Sequence, residues 1–196
     1  MPSWDKEFPN VAFVSEVQQD ILRDGGYLPG FANTDADDLA RTARFTASSC
    51  KAGVNPQDVV NGVSRKIGAD FNGWQSNGMA PGGETLTMTF DGEKQLSELR
   101  FVFHSDFRYP IRVTMCPNRQ VQQRPGVPAE LMQDYDVELL RGGKVVRTIP
   151  VRGNHQRLNV LRFDATACDQ VNLRCLSTNG APDATVFEVR AYSEQK

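Results

Sequence analysis

The chain has 196 residues, of which 39% are hydrophobic and 23% are charged, an ordinary globular composition that argues against a disordered or coiled-coil protein. Its 22 Lys and Arg residues against 24 Asp and Glu residues give a formal net charge of −2, which argues against nucleic-acid binding, since such proteins carry a basic face. No apolar run is long enough to span a membrane, and 16 Gly and 11 Pro residues supply many turns, which favours an all-β chain.

The first part of the chain, residues 1–40, predicts a helical arm that precedes the main domain. Its opening residues lack the basic and apolar segments of a signal peptide. Apolar residues then recur at three- and four-residue intervals and predict one amphipathic helix, at Val11, Val14, Val17 and Ile21. The acidic stretch 35–41 predicts a short helical turn. A lone helix cannot bury its apolar stripe, so we expect the arm to lie on residues 41–196 or on another protein.

From residue 41 onward, short segments of alternating apolar and polar residues predict β-strands. The segment 84–90 alternates strictly and puts Leu86, Met88 and Phe90 on one face. Gly142 and Gly143 predict a tight hairpin turn. The predicted strands are 42–48, 84–90, 96–104, 111–115, 135–141, 144–150, 158–163, 170–177 and 184–192. Because no helices alternate with them, they predict an all-β antiparallel sandwich or jelly roll.

Five segments in chain order resemble the discoidin-type, galactose-binding-like jelly roll that many carbohydrate-binding modules share. These segments are 43–49, 59–62, 72–76, 86–90 and 186–192. The resemblance implies a β-sandwich over residues 41–196 and a non-catalytic module that binds a glycan or polysaccharide. It also implies an accessory domain of a larger bacterial protein that acts on or oxidises polysaccharides, in a secreted or periplasmic location.

A narrower resemblance links the chain to the C-terminal part of some bacterial FAD-dependent oxidoreductases. It rests on segments 27–30, 37–49, 103–107, 154–157 and 177–190. The flavin domain itself is absent, because no G-x-G-x-x-G follows a predicted strand. This resemblance implies an alternative function, a docking or structural domain that packs against a catalytic domain or chain and has no ligand of its own. Such a domain should expose the apolar stripe of the helical arm.

The sequence predicts no enzymatic activity. There are only two histidines, His104 and His155, and no hydrolase, metalloprotease or phosphate-loop motif. A catalytic triad of Ser105, His104 and Asp106 is geometrically poor, because adjacent residues at a strand end point in alternating directions.

Sugar binding needs an aromatic surface for the C–H face of a pyranose and planar polar groups for its hydroxyls, collected on loops of a rigid sheet. Three polar segments offer such groups, at 72–77, 104–109 and 154–157. In the resembling family, the ligand loops gather at one end of the sandwich. The predicted ligand-binding residues are therefore Trp74, His104, Asp106, Arg108, Tyr109, His155 and Arg157.

Several of the predicted ligand residues also have a structural alternative. Trp74 can pack in the core instead of stacking on a sugar. His104 and Asp106 can satisfy backbone groups at a strand end. Arg157 can pair with Asp136 or Glu138, a surface contact worth less than about 1 kcal/mol.

The resemblance further implies a structural Ca²⁺, because many discoidin-type modules bind one through oxygen ligands. The family's ligand positions fall on Asn61 and Glu188, where Asn61 replaces a carboxylate with a neutral amide. Nearby oxygens are offered by Asp58, Ser64 and Asp70. The alternative is that Glu188 pairs with Arg44 or Arg190 and binds no metal.

The four cysteines, Cys50, Cys116, Cys168 and Cys175, lack the C-x-x-C spacing of zinc and thioredoxin-like redox motifs. Two alternatives remain open for Cys168 and Cys175. They form a disulfide across a hairpin, or they are two small buried residues.

Overall fold

The elements of the domain are almost all β-strands. The structure is a computed structural model that describes residues 33–106, 115–121, 123 and 126–194. The chain divides into two compact units, Met1–Thr34 and Asp35–Lys196, and all the strands belong to the second. The strands are β1 Arg44–Ala47, β2 Trp74–Gln75, β3 Glu84–Phe103, β4 Met132–Arg141, β5 Lys144–Val151, β6 Leu158–Thr178 and β7 Thr185–Tyr192. In the described part of the chain, the helical elements are two 3-10 helices, η1 Leu39–Thr42 and η2 Pro56–Val60, and one helical turn, α1 Pro117–Gln120.

Two long strands, β3 and β6, pair with each other in antiparallel register. Both take part in two groups of paired strands, called the first and second layers below: β1–β3–β6–β4–β5 and β2–β7–β3–β6. Register shifts between Thr89 and Lys94 and between Leu96 and Glu98 divide β3 into two parts. The first part pairs with β1, and the last part of β6 pairs with β4, which pairs with β5. The second part of β3 pairs with β7, whose other edge carries β2. All pairings are antiparallel, which confirms the predicted all-β fold.

The two layers enclose one hydrophobic core. Leu86, Met88 and Phe90 from the first part of β3 are buried in it, as their alternation predicted. Phe101 and Phe103 from the second part belong to the same core. Both parts of β3 therefore contribute side chains to the same core.

Two of the strands are longer than the sequence predicted. We expected separate strands at 84–90 and 96–104, but β3 is continuous across both, and β6 likewise spans 158–163 and 170–177. The register shifts explain this, because an irregularity in pairing lets a strand bend without ending. The Gly142–Gly143 hairpin between β4 and β5 is confirmed, with both glycines at positive φ. The predicted arm at 1–32 and most of the predicted strand 111–115 lie outside the described residues.

The segment around Asp38 lies on the last strand. Its carboxylate is buried, and Oδ1 accepts hydrogen bonds from the backbone N of Ala40 at 3.0 Å and of Ala191 at 2.9 Å. The first contact caps η1, so the predicted short helical turn is present, and the second ties it to β7. The unit boundary after Thr34 thus precedes this turn. No helix among the described residues is long and apolar enough to cross a membrane.

All four cysteines carry free thiols. Cys168 and Cys175 are both buried, which is the second of the two predicted alternatives. Burial raises the pKa of the Cys168 thiol to about 11, with a further contribution from the charges of Asp169 and Glu93. Burial likewise raises the pKa of Cys175. Protonated thiols of this kind are inert packing residues.

Several connections meet at one end of the second layer. There, Phe103 at the end of β3 pairs with Val186 of β7, and Val102 pairs with Leu158, the first residue of β6. The loop that leads into β2, the residues after β3 and the residues before β6 therefore come together. This end of the fold holds the candidate site.

Candidate ligand-binding pocket

A pocket of about 540 Å³ lies between the loop 61–73, called the pocket loop below, and the start of β7. Phe187 of β7 forms part of its wall, and its neighbour Val186 belongs to the hydrophobic core. Because successive side chains of a strand point to opposite faces, the pocket lies on the outer face of β7. Its lining residues are Arg65, Lys66, Gly68, Phe71, His104, Asp106 and Phe187.

An aromatic cluster forms the apolar part of the pocket. The rings of Phe71 and Phe187 stack with centroids 5.4 Å apart, and the His104 ring meets Phe187 edge-on at 5.3 Å. Gly73 allows this arrangement, since a Cβ there would lie 2.6 Å from the carbonyl oxygen of Val186. Only glycine permits so close an approach of the pocket loop to β7, and that approach places Phe71 on Phe187.

Hydrogen bonds within the pocket loop fix its shape. Asn72 has a positive φ of 57°, and its Nδ2 donates to the carbonyl oxygens of Arg65 and Asp70, both at 3.3 Å. Its Oδ1 accepts from Nδ2 of Asn61 at 3.0 Å. At the tip, Ile67 and Asp70 exchange two backbone hydrogen bonds of 3.0 Å. The loop is thereby closed on itself and presents the exposed side chains of Arg65 and Lys66 at the pocket rim.

The polar wall of the pocket comes from the residues that follow β3. Asp106 is only 5% exposed and adopts a positive φ of 47°, a conformation that Asp tolerates better than most residues. His104 is partly buried and contributes its imidazole. The predicted pair of His104 and Asp106 is thus brought together on one wall, where both side chains line the pocket.

Arg157 lies behind the pocket loop and holds it in place. Its carbonyl oxygen accepts from the backbone N of Phe103 at 2.9 Å, and its guanidinium donates to the carbonyl oxygen of Ser64. Burial lowers the pKa of this guanidinium; the charge of Glu188 opposes the shift and that of Arg65 adds to it. Arg157 is therefore near Arg65 and acts as a positioning residue for the loop.

The alternative ion pairs considered for Arg157 are wrong. Asp136 pairs with Arg152 at 2.7 Å, and Glu138 pairs with Arg174 at 3.0 Å. Both carboxylates thus have other partners on neighbouring strands.

Two other predicted ligand residues, Trp74 and His155, do not line the pocket. Trp74 is 0% exposed in the core and its Nε1 donates to the carbonyl oxygen of Ser49 at 2.9 Å, so the packing alternative fits its position and stacking on a sugar does not. His155 is exposed and does not line the pocket; its Nδ1 lies 3.4 Å from the carbonyl oxygen of Gly153. Arg108 and Tyr109 lie outside the described residues.

Five lining residues of the pocket were not predicted: Arg65, Lys66, Gly68, Phe71 and Phe187. The sequence of β7 indicates that Phe187 is covered, because apolar residues at the consecutive positions 186 and 187 are typical of a strand that is covered on both faces. Arg65 and Lys66 precede Gly68 at a turn, which marks a loop tip but not what the tip faces.

The side chains proposed to bind Ca²⁺ have other partners. Oδ1 of Asn61 accepts from the backbone N of Val63 at 2.8 Å, and Nδ2 of Asn61 donates to Asn72. Oε1 of Glu188 accepts from Nε of Arg190 at 2.6 Å, which is the predicted alternative. No group of three or more His, Cys, Asp or Glu side chains in the described ranges is arranged to hold a metal. Because Asn61 is a neutral amide and Glu188 already pairs with Arg190, we expect these side chains to bind Ca²⁺ only weakly.

We therefore expect the melting temperature to be the same in excess Ca²⁺ and in excess chelator. A bound ion would stabilise the fold by about 2.7 kcal/mol at ~100 times its Kd, so differential scanning fluorimetry would detect it easily. A rise with Ca²⁺ that Glu188→Gln abolishes and Asp164→Asn leaves intact would contradict this expectation. Asp164 is a suitable control because its side chain is fully exposed.

Comparisons with known proteins agree on the fold. No known protein family and no curated protein sequence matches the chain. A fucose-binding module of Streptococcus pneumoniae is similar in structure with a TM-score of 0.59 and 13% identity, covering 82% of this chain and 99% of that chain. The lectin domain of lectinolysin, solved with Lewis b antigen, gives 0.61 and 14%, covering 83% and 100%.

A third similar structure is a family 32 carbohydrate-binding module from NanJ of C. perfringens, solved in complex with galactose. Its TM-score is 0.55 at 12% identity, and the match covers 80% of this chain and 98% of that chain. At such identities the likeness establishes the fold alone. The chain therefore adopts the discoidin-like, galactose-binding-like jelly roll that its sequence resembles.

Proposed function

We propose that the chain is a non-catalytic carbohydrate-binding module and that the pocket beside β7 is its sugar site. The observation that carries the proposal is the combination, in one pocket, of the Phe71–Phe187 stack with the His104 imidazole and the buried Asp106 carboxylate. The function rests on this site and not on the fold, which hosts more than one activity.

The chemistry of the pocket suits a pyranose. A pyranose presents apolar C–H groups on one face and hydroxyls around its edge, so its site needs an apolar surface and directional polar groups. Phe71, which is partly exposed and stacks on the buried Phe187, supplies most of this surface. Asp106 accepts hydrogen bonds from hydroxyls, and His104 donates or accepts according to its tautomer. Because loop hydrogen bonds and Arg157 hold the pocket in shape, little ordering is needed when a sugar binds.

Two further observations support a binding role without catalysis. The similar structures include modules whose names record fucose, Lewis b and galactose as their ligands. Among the described residues that line the pocket, Asp106 is the sole carboxylate, whereas most glycoside hydrolases use a pair. A module that only binds a sugar needs neither a nucleophile nor a general acid, so one carboxylate is enough for that role.

The proposal extends to the context of the module, an accessory domain of a larger bacterial protein that acts on or oxidises polysaccharides. The alternative, a docking domain for an FAD-dependent oxidoreductase, predicts an exposed apolar stripe on the helical arm. That stripe lies at residues 11–21, outside the described residues, so no structural observation favours it.

The test is a glycan screen followed by a matched pair of histidine variants. We expect binding to a member of a panel of fucosylated, galactosylated and glucosamine-containing glycans. His104→Ala should weaken that binding about ten- to hundredfold, since losing one buried polar contact costs about 1–3 kcal/mol. His155→Ala should leave affinity unchanged, because His155 is exposed and does not line the pocket. Isothermal titration calorimetry measures both variants.

Two results would count against the proposal. Failure to bind any member of a broad neutral and acidic panel would favour the docking alternative. Equal losses in His104→Ala and His155→Ala would place the sugar site elsewhere on the domain. Thermal melting of both variants checks that any loss does not come from unfolding.

A further inference from the structure

The charges around the pocket indicate which sugars it takes, an inference that rests on the proposed function. We propose that the pocket binds an anionic sugar, whose carboxylate or sulfate group lies against Arg65 and Lys66 while the ring packs on the Phe71–Phe187 stack. Both anions offer the same recognition chemistry, which is several hydrogen-bond acceptors on a negative group.

The rim of the pocket carries two adjacent positive charges. Arg65 and Lys66 stand at the tip of the closed pocket loop, both exposed and both lining the pocket. Neither forms an ion pair within the part of the chain that the structure describes. The chain as a whole has a net charge of −2, so this positive rim is a local feature and does not follow from a basic composition.

A third cation reinforces the positive rim from behind. The guanidinium of Arg157 donates to the carbonyl oxygen of Ser64, the residue before Arg65. Burial lowers the pKa of Arg157, the charge of Glu188 opposes this shift and the charge of Arg65 adds to it, as expected for two cations held near each other by the contact with Ser64. Glu188 is itself engaged by Arg190 at 2.5 Å. An anion at the rim would offset the repulsion between Arg65 and Arg157.

The negative charges of this region do not cancel the rim. Asp58 and Asp70 lie near one another, since burial and then the charge of Asp70 raise the pKa of Asp58, but neither lines the pocket. Asp106 does line it, but Asp106 is buried whereas Arg65 and Lys66 are exposed. The pocket thus has a buried acceptor for hydroxyls and an exposed cationic rim for an anion. A planar guanidinium with several donors suits such an anion.

The experiment compares polymers that differ only in charge. Polygalacturonate and its fully methyl-esterified form test the carboxylate, and dextran sulfate and dextran test the sulfate. Affinity electrophoresis at low and high NaCl measures binding. We expect at least tenfold tighter binding to the charged member of one pair, with a preference that falls as salt rises. The pair that shows the preference identifies which anion is bound.

Two double variants that change the net charge equally test whether the preference for charged polymers comes from the rim residues or from the overall charge of the protein. Arg65→Gln/Lys66→Gln should remove the preference for the charged polymer, while leaving binding to its neutral partner within about twofold. The control is Arg44→Gln/Lys144→Gln, which changes the net charge equally at exposed positions on β1 and at the hairpin end of β5. This control should keep the preference.

These experiments distinguish a failure of the anionic assignment from a failure of the sugar-binding proposal. Equal affinity for charged and neutral members of both pairs, at any salt concentration, overturns the anionic assignment. The sugar-binding proposal then stands if the glycan screen succeeds and His104→Ala weakens binding. A preference that the Arg44/Lys144 control also loses would show charge attraction without a site, and this too overturns the inference. Binding to no polymer and no glycan overturns the function itself.

Discussion

Trp74→Ala is expected to lower the free energy of unfolding by about 3–5 kcal/mol, the range measured when large aromatic side chains are removed from cores. Trp74 is fully buried, and its Nε1 donates to the carbonyl oxygen of Ser49. It also forms half of β2, which pairs with Val186 and Thr185 of β7. The substitution therefore leaves a cavity and loosens the short strand that directly follows the pocket loop. Urea unfolding followed by circular dichroism measures the loss.

Two further variants serve as comparisons for Trp74→Ala. Trp74→Phe keeps most of the apolar volume but leaves Ser49 without its indole donor, so a smaller loss of about 1–3 kcal/mol is expected. Met115→Ala removes a side chain that is 94% exposed and should change stability by less than about 0.5 kcal/mol. An unchanged unfolding midpoint in Trp74→Ala, together with lost glycan binding, would place Trp74 on the ligand surface and refute its assignment to the core.

The parts of the fold that depend on local sequence were predictable. Alternation with a period of two assigned Leu86, Met88 and Phe90 to one buried face, and Gly142–Gly143 marked its hairpin. The continuity of β3 was not predictable, because Asp91 and Gly92 have turn propensity and the strand bends there without ending. Only pairing with β6 and β7, which are distant in sequence, keeps both parts of β3 in one strand.

Some residues of the candidate site were likewise predictable from local sequence, and others were not. His104 and Asp106 were predictable as polar residues just after a strand, where binding groups tend to collect. Phe71 and Phe187 were not, because their stacking depends on the close approach of Gly73 to β7. The sequence left two roles open for Trp74, and its burial favours packing. The consecutive apolar residues Val186 and Phe187 indicate a covered strand face, but neither segment shows that Phe71 is the residue that packs on it.

Glu98→Ala is expected to destabilise the domain by about 3 kcal/mol, at the lower end of the range for breaking a buried ion pair. The Glu98 side chain is 0% exposed and lies between two arginines. Arg100 contacts Oε1 at 2.5 Å, and Nε of Arg162 donates to Oε2 at 2.8 Å. Removing the carboxylate leaves these guanidinium groups without their shared anion in the middle of the β7–β3–β6 layer. We expect a loss of stability at the lower end of that range because Arg162 is 52% exposed and water can solvate it.

Variants of the two arginines that contact Glu98 test this account, because their side chains differ in exposure. Arg162→Gln removes the more exposed cation and leaves Glu98 with Arg100, so a loss of only about 1 kcal/mol is expected. Arg100 is more buried and also lies over the Tyr192 ring at 4.9 Å, so Arg100→Gln should cost more than Arg162→Gln. Chemical denaturation of the three variants gives the order Glu98→Ala, then Arg100→Gln, then Arg162→Gln. Equal small losses in all three would mean that water reaches the carboxylate and that the pairing across β3 and β6 stabilises the layer without it.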